Sequence, residues 1–472
     1  MSKKFLPEGI YAALVTPFDK NEEVNEQAFR ELIRAVINNL DGIVVCGTTG
    51  EFEYLSFEER KKIYEIARDE VKDRAKKVVA GAGAPSTRQV IELTKYAQDI
   101  GMDACLIVAP YFIKPSDKGL YEHFYHISRA VELPIIMYNI PQSSGYYISR
   151  RVVEDLAELD NIVALKDSSG NLTYTLEILE KVKDKINVLV GHDEVVLPAL
   201  ASGCSGAILG SAQVFPEIWQ ELYKAVKAGN LELAQELQLK IQKLARIFCR
   251  YGGAVPIKYA LRALGLNVGR ARMPLKEGGV ILHEDREEIK LELEKIGMLK
   301  VEELIVEEEK IPLNERFKEL GLSSEIIQNY KLLAGSATVG TGRERVIVDI
   351  LAGRKNSPLA KAFAKQLTYL RKGYEALPAI LEPNLSVKPS TLIIPVVELK
   401  NLRQANIIYG PGQSGIAKAV IDSVESGIIE QAEIDDYLIL AKVFVQPNAL
   451  DRKILYWNFY QAAKEAIERA FK

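Results

Sequence analysis

The chain has 472 residues, too many for one typical domain and enough for two or three. Its composition, 48% hydrophobic and 26% charged, is ordinary for a soluble protein, and a net charge of −3 gives no reason to expect nucleic acid or an anionic membrane as a partner. Met1–Phe5 lacks the apolar core of a signal peptide, no apolar run approaches membrane-spanning length, and Cys46, Cys105, Cys204 and Cys249 form no CxxC pair, so the expectation is a cytoplasmic protein with reduced thiols.

The first half repeats one unit. A short β-branched apolar run ends in glycine or polar residues, and a stretch with helical spacing follows. The runs are Ile10–Val15, Ile43–Cys46, Val78–Ala80, Cys105–Val108, Ile135–Tyr138, Ile162–Leu165, Val188–Val190 and Ala207–Leu209. Between them, segments such as Glu26–Asn39, Phe57–Val71, Thr87–Asp99 and Tyr121–Val131 carry apolar residues at helical intervals. Continuous apolar strands alternating with helices imply a parallel sheet covered on its faces, and eight such units have the count and size of a closed (β/α)8 TIM barrel. An open doubly wound sheet is the alternative, but Thr16-Pro17-Phe18-Asp19 after the first strand holds no glycine-rich phosphate loop. Further helices are expected over Glu217–Ala228, Leu231–Arg250, Pro256–Leu264 and Glu284–Ile296.

The expected domains are a barrel with its helical extension over 1–298, a helical linker over 299–331, and a smaller α/β (α+β) domain over 332–472. In the linker, Val301–Lys310 is acid-rich and Phe317–Tyr330 reads as a short helix. In the last part, Arg345–Leu351 and Leu392–Val397 read as strands, and Pro358–Leu370, Gln413–Glu425, Glu433–Ala441 and Ile454–Phe471 as helices.

In a (β/α)8 barrel the active site lies at the C-terminal ends of the strands. Lys166 directly follows Ile162–Leu165 and should face the barrel mouth. Partial desolvation there favours the neutral amine, which can attack a ketone to form an imine; the protonated imine then serves as an electron sink. A structural lysine paired with Asp167 is the plainer reading. Tyr138 ends the neighbouring strand, where its phenol could shuttle protons, or could simply be a satisfied core hydroxyl. Thr48 and Thr49, between Gly47 and Gly50, offer hydroxyls and N–H groups for a carboxylate, although small residues also suit a plain turn. No metal site is expected. His123 and His126 read as surface residues, His192 could line the pocket, and His283 stands apart.

The motifs Gly47-Thr48-Thr49-Gly50-Glu51, Tyr138-Asn139-Ile140-Pro141 and Leu165-Lys166-Asp167-Ser168-Ser169-Gly170-Asn171 resemble those of the dihydrodipicolinate synthase / N-acetylneuraminate lyase family, over about residues 5–298. Gly191, Gly206-Ala207-Ile208, Pro256-Ile257-Lys258 and Arg272-Met273-Pro274-Leu275 look like further family positions. The resemblance implies class I aldolase chemistry on pyruvate or a related 2-oxo acid, with no cofactor. It makes Lys166 the Schiff-base residue and Tyr138 the proton-transfer residue. Thr48 and Thr49 would hold the carboxylate and relay protons. Gly47, Ile208, Gly191, Ser143 and Tyr111 would complete the substrate site, and the assembly would be a homo-oligomer, a tetramer or larger. Two positions depart from the synthase pattern. Phe112 stands where a second tyrosine completes a proton relay, and Ser143 where an arginine grips the aldehyde substrate's carboxylate. Loss of a bidentate guanidinium removes charge-assisted bonds of roughly 1.5–3 kcal/mol each. A hydroxylated, sugar-acid-derived aldehyde suits Ser143 and Ser144 better than aspartate semialdehyde.

Residues 332–472 resemble the formaldehyde-activating enzyme. The matching stretches are Val348–Gly353, Pro383–Leu385, Lys388-Pro389, Tyr409–Gln413, Ala419–Val424 and Lys453–Ile467. The resemblance implies a tetrahydromethanopterin-like ligand and a site that includes Asp349 and Gln413. Ile347 occupies the position of the family's catalytic histidine. Binding or assembly is therefore favoured over efficient formaldehyde condensation. Two whole-chain alternatives stay open: a bifunctional enzyme that also condenses an aldehyde with a tetrahydropterin, and a non-catalytic 2-oxo acid or pterin-binding or assembly protein.

Overall fold

A computed structural model describes residues 6–72, 74–275, 281–299, 310–368, 373–382, 385–399, 402–449 and 451–472. The chain divides into two compact units, Met1–Lys300 and Val301–Lys472. The acid-rich stretch Val301–Lys310 lies almost wholly outside the described residues, as does Pro383-Asn384. Among the described residues no helix is long and apolar enough to cross a membrane.

The first unit is a closed barrel of eight parallel strands: β1 (Gly9–Ala13), β2 (Gly42–Val45), β3 (Lys77–Gly81), β4 (Ala104–Val108), β5 (Ile135–Asn139), β6 (Ile162–Asp167), β7 (Asn187–Val190) and β8 (Gly206–Leu209). Each apolar run predicted from the sequence is one of these strands, displaced by at most two residues at an end. The strands are buried on both faces, inward against one another and outward against helices, which is why they read as continuous rather than alternating apolar runs. Closure pairs β1 with β8 in register, Tyr11 beside Ile208. Gln213 secures the seam: its amide donates to Ala13 O (2.7 Å) and Gly210 O (2.8 Å) and accepts from Val15 N (3.0 Å). The outer helices start on conventional signals. Ser56 and Glu59 form a capping box on Phe57–Val71, and Asn171 caps Leu172–Val182. The extension follows as helices Pro216–Lys227, Leu231–Arg250, Ala254–Ala263 and His283–Lys295.

His123 corrects an expectation. It is buried, accepts or donates against Thr87 Oγ1 (2.9 Å), and burial pulls its pKa down to about 4; His126, one turn on, is exposed. The helix Asp117–Ala130 turns position 123 inward with Leu120, Phe124 and Ile127.

The second unit holds a five-stranded mixed sheet in the order β11–β14–β15–β10–β9. These are β9 (Leu333–Val339), β10 (Val346–Arg354), β11 (Leu377–Pro378), β14 (Ser390–Pro395) and β15 (Tyr437–Val445), while β12 (Ile380–Glu382) and β13 (Leu385–Ser386) form a separate ribbon. Helices Gln413–Glu425 and Arg452–Phe471 cover one face, packing on Val348, Ile350, Ile439 and Ala441. Gly335 permits the contact, since a Cβ there would lie 1.9 Å from Ala466 O. The other face, with Leu351, Leu392 and Leu440, is covered by Phe317, Leu320, Leu322 and Ile327 and by the helix Pro358–Thr368.

Two expectations change here, and one strand carries little sequence signal. Glu433–Ala441 was expected to be helical, yet Tyr437–Val445 is β15, paired antiparallel to β10 and parallel to β14. A central strand buried on both faces has no alternation, and a short apolar run does not distinguish strand from helix. Phe317–Tyr330 is not one helix. Gly321, at φ 82°, separates a 3-10 turn (Lys318–Leu320) from a helix at Ser324–Asn329. β9 (Leu-Ala-Gly-Ser-Ala-Thr-Val) is built of small and polar residues that carry little strand signal.

Candidate active site

The C-terminal ends of β2, β5, β6, β7 and β8 and the end of the helix Leu231–Arg250 surround one cavity of about 130 Å³. Lys166, Tyr138, Thr48, Thr49, Ile208, Gly191 and Ser143 all line it. The structure thus brings together every residue expected there except Gly47 and Tyr111. Gly47 precedes the 3-10 turn Thr48–Gly50 without reaching the cavity, and Tyr111 packs edge-on against Phe52 with ring centroids 6.0 Å apart.

Strand alternation decides the roles on β6. Lys166 points into the barrel and is only 4% exposed, with its Nζ 4.1 Å from the ring centroid of Tyr138, its register partner on β5. Asp167 points outward. Its carboxylate accepts from Asn139 Nδ2 (2.8 Å), Ser169 N (3.0 Å), Ser169 Oγ (3.1 Å) and Thr175 Oγ1 (2.7 Å). Asp167 is therefore fully occupied in fixing the strand end, and among the described residues no carboxylate forms an ion pair with Lys166. The reading of Lys166 as a lysine paired with Asp167 does not describe this geometry.

Glycine is required beside the amine. A Cβ on Gly191 would lie 2.2 Å from Ser168 Oγ and 2.6 Å from Lys166 Cε, so the lysine stem runs through the space that a side chain would fill. Gly210 does the same for Thr49, whose Oγ1 lies 3.0 Å from the Cβ position.

The Thr48–Thr49 turn is held from beneath. Glu51 (φ 60°) and Lys258 are both fully buried and form an ion pair at 2.6 Å. Lys258 also donates to Arg270 O (3.1 Å), and Glu51 Oε2 accepts from Arg272 N (2.9 Å). Burial pulls Lys258 down to about 8, with Glu51 opposing the fall.

Several cavity residues were not anticipated. Asp193 is buried, and burial raises its carboxyl to about 6, with Ser211 and Lys166 acting in the opposite direction. Gln142 braces the loop after β6 by donating to Ser168 O (3.1 Å) and Ser169 O (2.9 Å). Phe248, Cys249, Gly252 and Gly253 come from the helical extension, which carries no motif of its own. Ser144 is buried and donates to Ile140 O and Tyr146 O, and it does not line the cavity, whereas Ser143 does. Phe112 is 93% exposed, at φ 73°.

In the second unit Asp349 is buried. It accepts from Arg316 Nη1 (2.9 Å) and Ser336 Oγ (2.6 Å) on the face carrying Leu351. Gln413 opens the helix that packs on the opposite face and donates to Ile380 O. Within one chain the two do not converge. Ile347 is buried against Phe444, Val396 and Val397.

Comparison with known proteins agrees with this geometry. The dihydrodipicolinate synthetase family model matches residues 6–296, and the formaldehyde-activating enzyme (Fae) model matches residues 334–472. The chain is 40% identical over 299 residues to a 4-hydroxy-tetrahydrodipicolinate synthase of Methanopyrus kandleri, covering 62% of this chain and 98% of the relative. Among solved structures, dihydrodipicolinate synthase of Aquifex aeolicus is 35% identical, covering 62% of this chain and 98% of its own, with a TM-score of 0.59. The Acinetobacter baumannii enzyme, solved with pyruvate, is 34% identical, covering 62% and 100%, also with a TM-score of 0.59. The chain therefore belongs to the dihydrodipicolinate synthetase family of lyases and carries a formaldehyde-activating enzyme family domain at residues 334–472.

Proposed function

We propose that the barrel is a Schiff-base lyase or aldolase that takes pyruvate or a related 2-oxo acid onto Lys166. The observation that carries this reading is a buried amine that forms no ion pair among the described residues, held over the ring of Tyr138 on the wall of a cavity of about 130 Å³. The lysine nitrogen adds to the 2-oxo carbon, and water leaves as the imine forms. Tyr138 passes the protons that addition and dehydration require. Thr48 and Thr49 bind the substrate carboxylate and relay protons. Loss of a proton from the carbon next to the imine gives an enamine, which adds to the carbonyl carbon of an aldehyde; hydrolysis then frees the lysine. No cofactor takes part in this scheme.

Borohydride reduction in the presence of pyruvate, followed by peptide mapping, tests it. The peptide containing Lys166 should carry the reduced adduct, and Lys166→Ala should carry none. An intact enzyme that never forms the adduct would refute the proposal.

The second substrate is read from Ser143. It faces the cavity but offers one hydroxyl and no charge, which favours a hydroxylated aldehyde over one with a carboxylate. Efficient formation of the dihydrodipicolinate-type product from pyruvate and aspartate semialdehyde would overturn this second claim and leave the first standing. For the Fae-family domain, the engagement of Asp349 by Arg316 favours a binding or assembly role over condensation of formaldehyde with a tetrahydropterin. Titration with tetrahydromethanopterin separates binding from assembly. The mass of the protein in solution tests the homo-oligomer.

A further inference from the structure

The loop after β7 and the end of the helix Leu231–Arg250 place three metal-type donors together, two of them on the wall of the barrel cavity. One donor atom each from His192, Glu194 and Cys249 lie within 4.8 Å of one another. Cys249 Sγ is 3.8 Å from His192 Nδ1. A tetrahedral ion with bonds of roughly 2.3 Å to sulfur and 2.0–2.1 Å to nitrogen sets those two atoms about 3.5 Å apart, close to the separation seen here. We propose that His192, Glu194 and Cys249 bind a thiophilic divalent cation of the zinc class.

Several features beyond proximity support this. The imidazole packs closely over Gly170, where a Cβ would meet the ring at 3.0–3.3 Å. Glu194 is held by second contacts, as metal carboxylates commonly are: Arg246 Nε (3.1 Å) and Gln242 Nε2 (3.4 Å) both donate to Oε2, which leaves Oε1 to turn toward an ion. The loop itself is anchored to the same helix, since Gln238 Nε2 donates to Asp193 O (3.0 Å) and Gln238 Oε1 accepts from Leu197 N (3.2 Å). A thiolate and a carboxylate supply two negative charges against the 2+ ion and the neighbouring Arg246 guanidinium, at a half-buried position. The donor set of one sulfur, one nitrogen and one oxygen selects zinc-class ions over magnesium or calcium.

Binding forms a sulfur–metal bond in place of the S–H bond, and the thiol proton passes to bulk water. Three protein ligands leave one coordination position for water or a ligand oxygen, as in zinc sites that are not purely structural. His192 and Cys249 both line the cavity that contains Lys166, so the ion would stand on its wall. The interaction in the metal-free protein is the weak thiol–imidazole contact, which the metal replaces.

The test is titration of the full-length, metal-stripped protein with Co2+, then Zn2+, followed by absorbance. The expected result is a thiolate-to-cobalt charge-transfer band that saturates at one equivalent and is bleached by one equivalent of Zn2+. Cys249→Ser should abolish the band. Glu194→Gln, which keeps the shape of the side chain, should weaken binding by more than the roughly 10- to 100-fold cost of losing an outer contact. His192→Gln should do the same. Absence of any band in the wild-type protein would overturn the site. So would a band of undiminished strength in Cys249→Ser, which would place the thiolate elsewhere. A band whose affinity ignores both Glu194→Gln and His192→Gln would reduce the site to a lone cysteine and equally refute it.

Discussion

Gly191 and Asp193 show how closely the residues around Lys166 constrain it. A methyl group at position 191 collides with the lysine stem and with Ser168, and both are held: the lysine by the strand, the serine by its bond to Gly191 O (2.9 Å). Gly191→Ala should therefore displace the amine rather than unfold the barrel. A misplacement of about 1 Å costs on the order of 100-fold in rate, so kcat/KM should fall by about that factor while the far-ultraviolet spectrum is unchanged. Asp193 gives a pH signature. Its folded carboxyl titrates near 6, above the usual range, so ionisation is disfavoured in the folded state. Stability should fall as pH rises from about 4 through 6 and level off above, by ~3 kcal/mol in all. Asp193→Asn removes that dependence. Denaturant unfolding of both proteins at pH 4.5 and 7.5 measures it, and identical pH slopes would refute it. Lys166 and Tyr138 could be named from sequence because a strand end is a local feature. Asp193 could not, because its significance arises from burial beside a lysine that is distant in the chain.

Among the elements, the turn after β2 depends on one helix of the extension. Glu51 is fixed in a left-handed conformation under Thr48 and Thr49, and its fully buried charge is matched by Lys258 on Ala254–Ala263. Replacing one member of such a pair leaves an uncompensated buried charge, at about 3–5 kcal/mol. Lys258→Met should lower the denaturation midpoint accordingly and raise KM for the keto acid as the threonine turn loosens. A stability loss below about 1 kcal/mol would show that the pair is not what holds the turn. The barrel strands could be read from sequence because each is a run of β-branched residues ending in glycine or a polar motif. β15 could not, because a buried central strand and a buried helix segment share the same apolar run.

The whole molecule comprises two units, each closing its own core. In the second unit, the segment Phe317–Leu332 seals one face of the sheet and delivers Arg316 to Asp349, at 11% and 4% side-chain exposure. Calorimetry should show two transitions. Arg316→Ala strands the Asp349 carboxylate and should lower only one of them, by several degrees, for a loss of about 3–5 kcal/mol. A single transition that shifts as a whole would contradict independent cores.

The sequence by itself determined the barrel, its eight strands and the residues at their mouths, because hydrophobic period and strand-end motifs are encoded within a few neighbouring residues. It also carried the resemblance of the last third to a second family and the replacement of its histidine by Ile347. Only the tertiary structure decided that Asp167 faces away from Lys166, that Glu51 and Lys258 meet in the interior, that Asp349 and Gln413 lie on opposite sides of a sheet, and that Cys249 comes to His192. Those facts depend on which residues remote in the chain share a buried volume, and burial and pairing at long range leave no periodic trace in the sequence.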